Sequence, residues 1–293
     1  YGLANIWCDD ASGFAKKAPD YPDGIKIRYY DKAAHTYKYM DKAADIDSYI
    51  KALEQYFLKT NQMDKVRLAA DEPGDVEAYR KSIGHLAEIA PSFKFKAAIN
   101  HVEFINEFGN EVFDFAPSIG CMCEKHNELL NYKNTMEGKR FLWYVCCGPA
   151  YPNTFIGSNL LESVFIGVLS SYAGMDGFLR WNYTVWPDDP RHEIRYGTWR
   201  AGDTNFVYPA NHNAPLLTLR YKNLKRGIEF YELLEALKAK GDKEALEEAY
   251  KKVVVEKDIS IYYSKGLSLE QMCSLNPDDY NAMKEFVLNK LAK

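Results

Sequence analysis

Long apolar runs are missing from this chain. The best candidate, residues 160–175, is interrupted by Glu162, several serines and a glycine, so it reads as a buried helix and no membrane span is expected. Basic blocks are missing too. Lys and Arg number 37 against 41 Asp and Glu, for a formal net charge of −4, and no nucleic-acid partner is expected because that needs a clustered positive surface. There is no glycine-rich phosphate loop and no His/Cys ligand cluster, which disfavours nucleotide cofactors and catalytic zinc; no cofactor and no metal is expected. The cysteines Cys8, Cys121, Cys123, Cys146, Cys147 and Cys273 lack the spacing of a zinc knuckle, and buried free thiols are their default state. Internal repeats and low-complexity segments are absent. No signal peptide is expected within these residues: they start at Tyr1, almost directly in a strand-like run, and an upstream part is expected to precede them.

What remains is a chain of 293 residues, enough for one large α/β domain or two small ones. Its 22 tyrosines suit an aromatic cleft, since sugar C–H faces pack on rings, and suit a plain core equally. Strand-like runs near 3–7, 66–70, 94–99, 112–115, 141–146 and 177–183 alternate with helical patterns over 47–58, Val76–Ile89, 123–137 and Leu160–Tyr172. That order predicts a parallel sheet wrapped by helices. A β-hairpin insertion is expected from Ile25 to Met40, around Asp31 and His35. A long polar loop, 186–201, and a hairpin near Gly202-Asp203 follow the last strand. Helices over 215–240, 243–257 and 278–293 finish the chain.

The stretch Leu68-Ala69-Ala70-Asp71-Glu72-Pro73-Gly74-Asp75 carries the chemistry. A strand apolar on both faces except for Arg67 ends in two adjacent carboxylates and then Pro-Gly, which stops it. In a (β/α) barrel this strand end is the catalytic mouth. Successive strand side chains point to opposite faces, so Asp71 and Glu72 reach one pocket only if the backbone leaves strand geometry here. The competing reading is a solvated acidic turn with Asp75 as the cap of the next helix. Asn100 and Asp114, at or near strand ends, are candidate ligands for sugar hydroxyls or structural residues. Tyr144 is a candidate donor or a core tyrosine. Trp181 and Tyr183 leave the last strand on one face, and Trp186 follows in its loop; together they are candidates for a stacking wall.

Four ordered stretches between about residues 60 and 240 carry a resemblance. They are Asp71-Glu72-Pro73; Phe141-Leu142-Trp143-Tyr144-Val145-Cys146; Gly177-Phe178-Leu179-Arg180-Trp181-Asn182-Tyr183-Thr184-Val185-Trp186; and Gly202-Asp203 through Tyr208-Pro209 to Leu219-Arg220 and Lys225-Arg226-Gly227-Ile228-Glu229-Phe230-Tyr231. The set resembles the catalytic domain of glycoside hydrolase family 123, also called the DUF4091 domain. It departs from the family at Arg226 and Phe230, where aspartates are more frequent, and at Thr218, where a serine is expected.

The resemblance implies an α/β fold with a (β/α)8 TIM-type barrel, its first strands lying upstream of this chain. Residues 1–213 would be the barrel, and 214–293 a helical C-terminal extension packed on it. It implies a β-N-acetylgalactosaminidase-like enzyme with substrate-assisted catalysis, a glycan or glycoconjugate substrate, and a secreted, periplasmic or cell-surface bacterial location. The Asp-Glu pair of the family is matched by Asp71 and Glu72. Such enzymes need no enzyme nucleophile, because the sugar's acetamido oxygen attacks. Asp71 would hold the acetamido N–H and stay ionised, and Glu72 would be the general acid and base with a raised pKa. A glycosidase of the same fold with another sugar, or a glycan-binding barrel without turnover, is the alternative.

Overall fold

The computed structural model describes residues 2–8, 27–210 and 214–293; for 2–8 and for Arg28 only the backbone is described. The loop expected before Gly24 and the start of the expected hairpin lie outside the described residues. By contacts the chain falls into two compact units, 1–117 with 132–140, and 118–131 with 141–293.

The first unit is built on four parallel strands in the order β1 (Gly2–Cys8), β4 (Arg67–Asp71), β5 (Phe95–Ile99), β6 (Val112–Pro117). A short antiparallel hairpin, β2 (Arg28–Asp31) and β3 (Thr36–Tyr39), stands where one is expected. Helices α1 (Ala43–Lys59), α2 (Val76–Ile89) and α3 (Glu103–Phe108) connect the strands. Strand β4 survives as a parallel central strand because Leu68 and Ala70 are buried on one face and Arg67 is satisfied on the other. Helix α2 starts at Val76 because the Asp75 carboxylate accepts from Ala78 N at 2.9 Å. It packs inward through Tyr79, Ile83 and Leu86, all fully or nearly buried, each contributing roughly 1.5–3 kcal/mol. Tyr79, Phe104 and Phe108 form an aromatic cluster, with ring centroids 4.6–5.4 Å apart.

The second unit holds α4 (Ile119–Glu124), the parallel pair β7 (Arg140–Tyr144, from Phe141 on) and β8 (Gly177–Leu179), and α6 (Leu160–Tyr172) between them. Helix α5 (His126–Thr135) follows α4. One helix is expected over 123–137; the backbone breaks at Lys125, Ser118 caps α4, and His126 Nε2 contacts Ala173 O at 2.8 Å. Helix α6 is buried from Glu162 to Ser171, as its apolar composition requires. A capping box sets its start: Asn159 accepts from Leu161 N at 2.9 Å, and Glu162 accepts from Asn159 N at 2.8 Å.

The β9 (Val207–Tyr208) and β10 (Leu216–Leu217) pair leads into α7 (Leu219–Ala239), which Thr218 caps by accepting from Tyr221 N at 3.1 Å. Then come α8 (Lys243–Tyr250), α9 (Ile261–Ser264), α10 (Leu269–Met272) and α11 (Pro277–Leu291). Helix α8 ends seven residues short of the expected 257, because the β-branched run Val253-Val254-Val255 leaves the helix and Val254 bridges Cys273. Helices α6 and α7 cross at two glycines. A β-carbon on Gly167 would stand 1.9 Å from Gly227 O, and one on Gly227 would stand 2.7 Å from Ser163 O.

The expected α/β class is thus seen as a mixed fold with parallel strands and connecting helices. Strand β8 is shorter than expected, ending at Leu179 rather than Tyr183, because Arg180 turns to other partners described below.

Candidate active site

Strand β4 delivers Asp71 at its carboxyl end, between Cys8 of β1 and Ala98 of β5 in the register. The next residue leaves strand geometry. Glu72 has φ +47°, in the left-handed region, while its N–H still donates to Ala98 O at 3.0 Å. Left-handed backbone costs a residue with a β-carbon of order 1–3 kcal/mol and clusters at functional sites. The turn is the departure that the sequence requires if two neighbouring carboxylates are to serve one pocket. Both acids are exposed, and the helix cap is supplied by Asp75, so neither is spent on it.

The Asp71 carboxyl is pushed up from its ordinary range, first by desolvation and then by the neighbouring Glu72 charge. Although Asp71 is exposed by surface area, the protein packed around the strand end removes enough water for desolvation to lead. Asp71, expected to stay ionised, is thus the residue that carries an upward shift.

Asn100 lies one residue past the end of β5, exposed, beyond the Ala98 that pairs with Asp71. Asp114 sits within β6 and is buried. Its Oδ2 accepts from Arg67 Nε at 2.9 Å, so it is bound to the first residue of β4 and not to the last. Lys96 pairs with Asp114 in register, and burial lowers its pKa, partly offset by Asp114. The face that carries Asp71 at its carboxyl end therefore carries Arg67, Lys96 and Asp114 further down.

The aromatic candidates belong to the second unit. Tyr144 ends β7, is 5% exposed, and bridges Ser118. Trp181 stands against Trp199 with centroids 4.7 Å apart, and its Nε1 donates to Asp203 Oδ1 at 3.3 Å. Tyr183 lies over Phe206 at 5.8 Å. Trp186 Nε1 donates to Val207 O at 2.7 Å. The shortened strand thus sends Trp181 and Tyr183 to two separate ring partners, not along one strand face.

Three residues without an assigned role in the sequence reading organise this unit. Arg180 is ion-paired with the fully buried Asp203 and donates to Val145 O at 2.7 Å. Arg220, buried, donates to Thr154 O, Gly202 O and Asn205 O at 2.6–2.8 Å, and desolvation brings its pKa down to about 10. The only sequence signal for them was their place in the quoted stretches. Among the described residues there is no group of three or more His, Cys, Asp or Glu able to hold a metal ion, and no helix long and apolar enough to cross a membrane.

No curated protein matches the chain. Several solved structures do. One is a family 123 glycoside hydrolase from Clostridium perfringens, described for glycolipid glycan hydrolysis, with 17% identity and a TM-score of 0.60. The alignment covers 91% of this chain and 48% of that one, so the chain spans about half the length of that enzyme. That likeness speaks for the fold. The model of the glycoside hydrolase 123 catalytic domain matches residues 1–237, most of the chain, and the chain belongs to that family.

Proposed function

We propose that the chain is the catalytic part of a glycoside hydrolase that removes a terminal β-linked N-acetylhexosamine, with N-acetylgalactosamine as the sugar, and with retention of configuration. The observation that carries the reading is the strand end itself: two exposed adjacent carboxylates, one on the last residue of a buried parallel strand and one on a residue turned out of strand geometry. Family membership supports the hydrolytic class.

In this reading the acetamido oxygen attacks the anomeric carbon while the bond to the leaving oxygen breaks. Glu72 gives its proton to that oxygen. Asp71 accepts the acetamido N–H and balances the positive charge of the oxazolinium. Glu72 then takes a proton from water, which attacks the anomeric carbon and restores the acetamide. An N–H donated to the Asp71 carboxylate favours its ionised form and draws its raised pKa back down. Asn100, exposed at the end of the neighbouring strand, is the proposed hydroxyl ligand beside the pair. Tyr144 is the proposed donor to the acetamido carbonyl, and Trp181, Tyr183 and Trp186 the proposed aromatic surface for the sugar. The bond from Arg67 supports a structural role for Asp114.

We further propose that the parallel strands belong to a (β/α)8 barrel, with 1–213 as its catalytic part and 214–293 as helices packed on it. The close α6–α7 crossing supports the last point.

The test is a panel of aryl N-acetylhexosaminides with leaving groups of graded acidity, given to the protein and to Glu72→Gln. The expected result is turnover by the wild type and a loss in the variant that shrinks as the leaving group becomes more acidic. No turnover of any N-acetylated substrate by the wild type would turn the reading to a glycan-binding protein.

A further inference from the structure

A cavity belongs to loops that follow β7 and β8 in the second unit. It has a volume of about 280 Å³, at the small end of ligand pockets and suited to a single sugar unit. Tyr151, Phe155, Ser158, Arg195 and Arg200 contribute the side chains that matter. Two guanidinium groups line it and no carboxylate does, on a chain of net charge −4. The Arg200 guanidinium lies 4.2 Å over the centre of the buried Phe155 ring, which fixes its plane. Neither Arg195 nor Arg200 has a carboxylate partner among the described residues. The Arg200 charge acts on Glu162, which lies buried. Both of its oxygens are taken, by Asn153 N at 2.7 Å and by Asn159 N at 2.8 Å.

The walls are held in place independently of any ligand. Ile156 N donates to Ala201 O at 2.8 Å and joins the two loops, and Phe155 N donates to Ser158 Oγ at 3.2 Å. Tyr151 leaves 42% of its surface exposed and lines the same cavity as the two cations.

We propose that this cavity binds a sugar carrying an oxyanion, either a sulfate ester or a carboxylate. A guanidinium fork matches both groups in two parallel hydrogen bonds, which a neutral hydroxyl cannot reproduce. An aromatic face beside an arginine pair adds the sugar ring to the recognised unit, so free inorganic anions satisfy only part of the site. The naming of a sugar rests on the glycosidase reading; the preference for an anion rests on the arginines.

Calorimetric titrations of the full chain with galactose, galactose 6-sulfate, galacturonic acid and inorganic sulfate test this. At least one charged sugar is expected to bind roughly tenfold or more tightly than galactose, with the preference shrinking at high salt. The charged sugar that shows it names the source of the oxyanion. The preference should fall in Arg195→Gln and vanish in Arg195→Gln/Arg200→Gln. Arg195 is exposed, so its single variant leaves the fold intact, and thermal melts check the double variant. Equal binding of galactose and both charged sugars would overturn the proposal. So would a preference that survives the double variant, or inorganic sulfate binding as tightly as galactose 6-sulfate. Turnover is scored separately: wild-type protein that hydrolyses no neutral N-acetylhexosaminide but prefers a charged sugar would sink the glycosidase reading and keep this one.

Discussion

Asp71 and Glu72 are neighbours in sequence with opposite demands on them, and the backbone separates them. Glu72 sits in a left-handed conformation that an unstrained strand residue avoids, while Asp71 completes the strand. If Glu72 is the general acid, Glu72→Gln keeps the shape and lowers kcat by roughly 10²–10⁴-fold for poor leaving groups. Asp71 carries a different signature. Its folded-state pKa lies above the ordinary 3.8, so the native state binds the proton more tightly than the unfolded chain does. Ionised Asp71 then costs stability, in full above the folded pKa, and the cost disappears as pH falls below the unfolded value. Asp71→Asn is expected to raise the melting temperature at neutral pH, with the gain lost below about pH 3.8, while turnover falls for every leaving group alike. Melts of both proteins from pH 3 to 8 check this, and a variant that melts lower at neutral pH would contradict it. Asp114 gives the contrasting case. Breaking a buried ion pair by removing one partner leaves the other charge stranded, and Asp114→Ala should cost about 3–5 kcal/mol in denaturant unfolding.

Elements were legible where local chemistry alone defines them. Val76–Ile89 and Leu160–Tyr172 are helices to the residue, because Asp75 and the Asn159/Glu162 box mark their starts and the apolar pattern carries through. The end of strand β8 was not legible, because Arg180 ends it by pairing with Asp203, 23 residues further on. The α6–α7 crossing is of the same kind. Both glycines are plain in the sequence, yet nothing local says that they face each other at backbone distance. Gly167→Ala should therefore destabilise by roughly 1–3 kcal/mol or more, since the added methyl meets backbone and not a side chain that can move. A melting temperature unchanged in Gly167→Ala would mean that the helices stand further apart than described.

For the whole molecule, family membership and the parallel α/β fold agree with the class expected from the ordered stretches. Activity is tested at this scale, on the whole chain. The reading predicts a β-configured product at the instant of hydrolysis, checked by proton NMR before mutarotation. It also predicts tight binding of an N-acetyl thiazoline analogue, which mimics the bicyclic intermediate, and much weaker binding to Asp71→Asn. An α-configured first product would exclude a substrate-assisted route.

The sequence by itself determined the parallel order of strands and helices, the caps, and the position of two carboxylates at a strand end, because each depends on neighbours within a few residues. It also excluded a membrane-spanning run from the residues present. It did not determine that Asp114 belongs to Arg67, that Trp181 and Tyr183 part company after Leu179, or that Arg195 and Arg200 come to line one cavity with Tyr151 and Phe155. Those outcomes depend on which distant loop reaches a buried charge or ring first. For the buried Arg67–Asp114 pair, burial makes a partner a near-requirement once the chain is compact, and in every case only the tertiary structure says which partner is there.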